Sequence, residues 1–585
     1  MTLGPPGRRT NVNETGDRLN AQNGHGSDGG ESGQDSVSKL DPLGLGAAWI
    51  RAMQEAGKHP EAVIEAATRY AGGIAAAAAA TGARALGADT AGPVAPAPKD
   101  RRFTDPAWTE NPAFFMLLQG YLLWARLVDD LVTSASLADL DGEKARFTGE
   151  LLIDALAPTN FLATNPAAQK RFLETGGMSL VRGTRNFLED LATNKGLPRQ
   201  VDPSAFTVGT DLATTPGKVV YRNDLMELIQ YTPTSETVYE VPLLLSPPWI
   251  NKYYIMDLAP GRSFVQWAVD HGHTVFAISY KNPGEADRDL TLDDYLQRGP
   301  IAALDAIREI TGAEQANVAG LCLGGTLTGM LLSYLAKDGD ERVRSTTLLN
   351  TLVDFSVPGR LGAFTDEPAI AHLEELMSER GYLESSEMMN TFTFMRANDL
   401  VWNYAVNNWL LGEPPPPFDL LAWNSDGTRM PATMHSFFVR SCYLNNEFAR
   451  GTMELGGVPL DPSAVTGDVY VLAAQEDHIT PWRGSYLTTQ VLPNTTTRFV
   501  LCGAGHIAGI VSPPSKKAWY RTGGDARPAD AEAWFEGTTR HEGSWWEDWA
   551  LWIGERAGAR VAPPPMGGDR HPPIVDAPGT YVLEK

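Results

Sequence analysis

The sequence predicts an α/β fold: a mostly parallel sheet with an inserted cap, preceded by a helical N-terminal domain. Three observations carry this. Short β-branched runs at 219–222, 238–245, 274–280, 316–321, 346–350, 469–474 and 496–501 alternate with helical segments at 260–271, 295–311 and 325–336. Such alternation is the pattern of parallel strands joined by crossover helices. Several runs, Val241-Pro242-Leu243-Leu244-Leu245 among them, are apolar without a break, as strands covered on both faces must be. The rhythm fails once, between 350 and 469, where a long stretch rich in aromatic residues and methionine reads as an insertion over the sheet at about 352–465.

The elements before the sheet follow in order. Residues 1–40 are rich in Gly, Asn, Asp, Ser and Glu and offer little to bury, so an acidic disordered tail is expected. Residues 41–100 read as a helical, Ala-rich linker. Ala48, Ile50, Met53, Ala62, Ile64 and Ala67 are spaced for short amphipathic helices. From Ala71 to Asp100 alanine favours helix but buries little, and the prolines after Gly92 end it. Residues 101–205 read as the helical N-terminal domain. Phe114, Leu117, Leu118, Tyr121, Leu122 and Ala125 recur at helical spacing, and 143–157 and 167–193 behave alike. Residues 206–585 then hold the α/β domain with its cap.

Composition excludes several classes. A net charge of -23 over 585 residues argues against a nucleic-acid partner, whose phosphates require a basic surface. It also means that an anionic substrate must be gathered by a local basic site. Three cysteines, Cys322, Cys442 and Cys502, are too few and too odd in number for a disulfide framework, and their spacing fits no zinc site. A reducing cytoplasm is expected, with no metal and no cofactor. Arg8-Arg9 is followed by no apolar core, and so is not a targeting signal. The longest apolar stretch, from Phe114 to Leu127, is interrupted by Gln119 and Arg126, so no membrane span is expected.

The segment that carries chemistry is Gly320-Leu321-Cys322-Leu323-Gly324, with a predicted strand before it and a helix after it. This is a nucleophile elbow with cysteine in the serine position. The turn is too tight for a Cβ at Gly320 or Gly324, and the helix N-terminus behind it favours thiolate over thiol. The Leu323 backbone N–H points to where an oxyanion would form. In an α/β-hydrolase the partners follow in the order acid, then histidine. Past the run at 469–474 lies Glu476-Asp477-His478, and past the run at 496–501 lies Gly505-His506. The assignment is Cys322 as nucleophile, His506 as general base and Asp477 as its orienter. Glu476 as the acid and His478 as the base remain open alternatives. The second oxyanion donor is expected on the loop Ser246-Pro247-Pro248-Trp249-Ile250-Asn251-Lys252, at the Ile250 N–H.

These residues resemble a known family, the class I polyhydroxyalkanoate (poly-3-hydroxybutyrate) synthases. The likeness covers nearly everything after residue 100. It includes Arg102-Phe103-Thr104-Asp105-Pro106-Ala107-Trp108, the run from Asn223 to Tyr231, and Pro247-Pro248-Trp249-Ile250-Asn251-Lys252-Tyr253-Tyr254. Further on come Gly320-Leu321-Cys322-Leu323-Gly324-Gly325, Glu476-Asp477-His478-Ile479-Thr480-Pro481-Trp482 and Gly505-His506-Ile507-Ala508-Gly509. The resemblance places the family's cysteine, aspartate and histidine on Cys322, Asp477 and His506. It implies an α/β-hydrolase fold and a polymerase that moves (R)-3-hydroxyacyl groups from CoA onto a growing polyester, with short acyl chains favoured. It further implies a cytoplasmic homodimer, a cap that takes part in dimerisation, and an N-terminal domain associated with polyester granules and granule-associated proteins. Leu321 stands where many members carry an aromatic residue, which bears on pocket shape. A cysteine-dependent thioesterase or depolymerase on the same fold is the alternative, and a catalytically idle granule-coat protein the third reading.

Overall fold

The computed structural model describes residues 41–137, 139–524 and 527–585. The expected tail at 1–40 lies outside the described residues. Helix α1 (Leu45–Gly57) leads into α2 (Pro60–Ala85), which begins with proline at its first position, where the missing N–H costs nothing. The Ala-rich segment expected as a linker is therefore helical as far as Ala85, and it is packed. Alanine and glycine let α2 lie close on α3 (Pro112–Ser134): Ala77, Val94 and Leu123 form a small buried cluster, and a Cβ on Gly73 would stand 2.5 Å from a Leu123 methyl. The proline-rich stretch beyond is anchored by Gln119 of α3. Its amide donates to the Val94 carbonyl at 2.8 Å and accepts from the Val94 N–H at 3.1 Å. The residue that breaks the apolar run of α3 is thus the one that holds the segment. Helices α4 (Asp139–Ala155), α5 (Pro166–Glu174) and α6 (Met178–Thr193) complete the helical block.

The main sheet is built from β1 (Gly217–Arg222), β2 (Met226–Tyr231), β3 (Leu243–Ser246), β4 (Val275–Tyr280), β5 (Ala316–Leu321), β6 (Val343–Leu349), β7 (Gly467–Ala474), β8 (Thr495–Cys502), β9 (Trp519–Thr522), β10 (Thr539–Glu542) and β11 (Val575–Asp576). Among the described residues its order is β10-β9-β8-β7-β6-β5-β3-β4-β2-β1-β11. The centre, from β4 through β3, β5, β6 and β7 to β8, is parallel. The flanking pairs are antiparallel. Helices α7 (Phe264–Asp270), α8 (Ala302–Thr311) and α9 (Leu323–Ala336) connect the parallel strands. The run expected at 238–245 is divided. Pro242 has no N–H to give to a ladder, so Val238–Tyr239 pairs separately with Arg560–Val561 and β3 starts after it.

Strand β2 escaped the sequence because it carries Glu227 and Gln230, yet it is buried along its whole length. Both polar side chains are satisfied by residues far along the chain. Glu227 accepts from Arg222 Nε at 2.9 Å, from the Thr580 N–H at 2.9 Å and from the Tyr581 N–H at 3.1 Å. Gln230 accepts from Gly567 at 2.7 Å and donates to Pro565 at 3.0 Å.

Between β6 and β7 the chain forms the cap, with α10 (Glu367–Arg380), α11 (Ser385–Phe394), α12 (Asp419–Ser425) and α13 (Ala432–Phe438). After β8 come the short α14 (His506–Ile510) and, past β10, α15 (Trp545–Gly554). The tryptophans of α15 are core residues: Trp545, Trp546 and Trp549 are at most 1 % exposed and pack around Phe264. Trp545 and Trp546 also donate to the carbonyls of Gly509 and Ile510, at 2.8 and 2.9 Å, and so fasten α14. Among the described residues no helix is long and apolar enough to cross a membrane.

The last residues bridge sheet and cap. Lys252 Nζ donates to the Glu584 carbonyl at 2.8 Å. Arg429 of the cap donates to the Lys585 carbonyl at 2.9 Å, and Lys585 pairs with Asp426 of the cap at 2.8 Å.

Candidate active site

Strand β5 runs straight into Cys322 and α9 begins at the next residue. Cys322 holds φ at 50°, left-handed backbone that costs a non-glycine residue about 1–3 kcal/mol. Its neighbours enforce it. The Cys322 N–H donates to the Leu349 carbonyl at 2.9 Å. A Cβ on Gly320 would stand 2.6 Å from the Gly325 Cα, and one on Gly324 would overlap the carbonyl oxygens of Ser246 and Pro247. Both glycines are therefore required, as the sequence predicted.

Asp477 lies on the loop past β7, and His506 opens α14 past β8. One oxygen of Asp477 accepts from the N–H groups of Ile479 and Thr480, at 2.8 and 2.9 Å. The other accepts from His506 Nδ1 at 2.6 Å and from the Thr480 hydroxyl at 2.7 Å. Both residues are buried. Burial disfavours charge on each, but the pairing outweighs it. The imidazole and the Thr480 donors hold Asp477 below its ordinary value, while the Asp477 carboxylate and the Cys322 thiol hold His506 above its own. With Nδ1 committed to the carboxylate, Nε2 is the ring nitrogen left for the thiol.

Glu476 and His478 sit in different surroundings. Glu476 is half exposed and pairs with Lys99. Burial, helped by the positive charges of Arg396 and Arg360, pushes His478 down to about 4, so it is neutral. Among the described residues its Nδ1 has no hydrogen-bond partner. Cys442 and Cys502 are fully buried, and burial raises the pKa of both thiols.

Leu323 is the first residue of α9, where a backbone N–H has no partner within the helix. The loop after β3 meets the elbow at Ser246 and Pro247. Ile250 lies farther along it, and its carbonyl accepts from the cap residue Thr428 at 3.0 Å beside a bridge between Asn251 and Gly427. The loop expected to carry the second oxyanion donor is thus tied to the cap.

Three further residues stand at the site, of which only Thr480 lay in a motif quoted from the sequence, and without a role there. Asn350, at the end of β6, donates to the His506 carbonyl at 2.5 Å. Thr480 joins the acid, as above. Tyr443 comes from the cap and packs on Phe355 and Phe438. Its phenol pKa is raised by burial and then by the thiols of Cys322 and Cys442. Among the described residues no group of three or more His, Cys, Asp or Glu is placed to hold a metal ion.

Residues 99–268 match the family model described as "Poly-beta-hydroxybutyrate polymerase (PhaC) N-terminus", and residues 261–513 match that of the alpha/beta hydrolase fold. The poly(3-hydroxyalkanoate) polymerase of Methylorubrum extorquens is 46% identical over 533 residues, covering 90% of this chain and 88% of its own. The chain belongs to the poly(3-hydroxyalkanoate) polymerase family. Among polymerases of this family, the PhaC subunit of Rhizobium meliloti is 43% identical over 83% of this chain and 79% of its own, and that of Cupriavidus necator 42% identical over 83% of each. The hydrolase match spans Cys322, Asp477 and His506, and the polymerase match spans Ile250. An α/β-hydrolase scaffold here serves a polymerase family.

Proposed function

We propose that this protein polymerises (R)-3-hydroxyacyl groups, taking them from CoA thioesters and adding them to a polyhydroxyalkanoate chain. The observation that carries the reading is family membership over nine-tenths of the chain, joined to a cysteine at the elbow facing a buried His506–Asp477 pair. His506 Nε2 takes the thiol proton. The Cys322 sulfur attacks the substrate carbonyl, the CoA thiolate leaves, and the imidazolium returns the proton to it. The N–H groups of Leu323 and Ile250 receive the oxyanion.

The acyl group now sits on sulfur as a thioester. A 3-hydroxyl from another acyl unit gives its proton to His506 and attacks, forming an oxoester and freeing Cys322. Thioester to oxoester runs downhill, so elongation calls for neither ATP nor a cofactor. Water in the site would turn the same steps into hydrolysis, and the cap over the sheet supplies the exclusion. The reading extends to a cytoplasmic homodimer on polyester granules, with residues 101–205 as the granule-associated domain and the cap at about 352–465.

The test is product analysis with (R)-3-hydroxybutyryl-CoA, following thiol release and turbidity together. Released CoA with insoluble polyester, abolished by Cys322→Ala, supports the polymerase. Released CoA with free 3-hydroxybutyrate alone overturns it in favour of a thioesterase. No release with short or longer acyl chains overturns it in favour of an idle coat protein.

A further inference from the structure

Asn350 follows β6, the strand between that of the thiol and that of the acid, and Thr480 follows Asp477 on the acid's loop. Asn350 holds φ at 45° and is fully buried. Asparagine is among the few residue types suited to that left-handed backbone. Its N–H donates to the Leu472 carbonyl at 2.9 Å, which fixes it across to β7, and its side-chain amide donates to the His506 carbonyl at 2.5 Å. Its own Oδ1 has no hydrogen-bond partner among the described residues, an unfavourable burial that packing alone would not call for.

Thr480 is buried as well. Its hydroxyl oxygen lies 2.7 Å from Asp477 Oδ2, 3.1 Å from the Asn350 carbonyl and 3.2 Å from His506 Nδ1. A hydroxyl has one proton, and the charged acceptor at the shortest distance takes it. The Thr480 oxygen then presents lone pairs to the Nδ1–H that Asp477 also accepts.

We propose that Thr480 and Asn350 are positioning residues of this site, Thr480 sharing the Asp477 carboxylate with the imidazole and Asn350 fixing the His506 backbone, so that Nε2 is held toward Cys322. This rests on the polymerase reading for its kinetic consequence, but not for its geometry. Thr480 tempers the acid: by donating to Oδ2 it draws off part of the negative charge felt by the ring. Removing the hydroxyl takes a weak acceptor at 3.2 Å from the ring and a donor at 2.7 Å from the carboxylate; the charged carboxylate, 2.6 Å from Nδ1, dominates and holds the imidazole proton more tightly.

The groups that face this pair are few. Cys322 lies across from the ring, and Tyr443 of the cap faces Cys322. His478 from the acid's own loop and Cys502 at the end of β8 lie beside Asp477. The charges of Arg360 and Arg396 reach His478.

Two variants test it in the full chain. Thr480→Val keeps the shape and removes the hydroxyl; Asn350→Gly keeps the backbone conformation and removes the amide. In a Cys322→Ala background, NMR of labelled histidine should show His506 titrating at higher pH in Thr480→Val, with Thr480→Ser restoring the original midpoint. With Cys322 intact, both should lower kcat about tenfold while leaving KM for the acyl-CoA within about twofold. An unchanged or lowered His506 midpoint in Thr480→Val overturns the role of Thr480. Unchanged kcat in a folded Asn350→Gly overturns that of Asn350. Should the unaltered protein make no polyester, the polymerase reading falls, and the histidine titration still decides for or against Thr480.

Discussion

Sulfur and oxygen at the elbow leave different intermediates behind. On the proposed reading, an acyl group on Cys322 stays activated toward alcohols, whereas on a serine it would already be the oxoester that the reaction is meant to produce. Cys322→Ser should therefore lose polymerisation by about a thousandfold or more, with the acylated protein accumulating, as intact-mass spectrometry after mixing with acyl-CoA would reveal. The charge partner gives a second prediction. Asp477 is depressed, so its stabilisation is present above its ordinary value of ~4 and is lost as pH falls through its folded value. His506 is raised, so its stabilisation is complete below ~6.5 and is lost as pH rises through its folded value. In Asp477→Asn the burial of the ring is opposed by Cys322 alone, and the His506 titration should move down in pH. An NMR midpoint at or above that of the unaltered protein would contradict this. The placement of Cys322, Asp477 and His506 was legible because each follows a strand in a fixed order. Asn350 and Tyr443 were not, because strand adjacency brings in the one and the fold of the cap the other; Thr480 sits three residues from Asp477 on the same loop, but a hydroxyl beside an acid has no signature of its own.

Helices and strands were legible where their pattern reflects local burial, and obscure where a polar residue finds its partner far away. The alternation that predicted the parallel centre is one case: β3, β4 and β5 are buried along their whole length and read as mainly apolar runs. Strand β2 is the opposite case, since Glu227 and Gln230 look exposed until residues 565–581 fold over them. Gln119 misled in the same way. Its amide satisfies both the N–H and the carbonyl of Val94 in a buried position. Gln119→Leu should cost about 2 kcal/mol or more, since two backbone groups lose their partner. Denaturant unfolding would measure it, and a change below about 0.5 kcal/mol would mean that the stretch after α2 contributes little to the fold.

From Leu43 to Lys585 the described chain is one compact unit, and residues 580–585 are one of the ties across it. They supply three donors to the buried Glu227 and a carbonyl to the buried Lys252. Removing them leaves a carboxylate and an ammonium under-compensated, at a cost of about 3–5 kcal/mol. A melting temperature unchanged by that deletion would show the tie to be dispensable. The bond from Thr428 to the Ile250 carbonyl has a kinetic consequence. A cap that lifts to admit acyl-CoA must break that bond or drag the loop behind the elbow along with it. On the proposed reading of Ile250 as an oxyanion donor, admission and chemistry are then interlocked: lifting the cap would move that donor out of register, and water entering during opening would meet a site not yet armed.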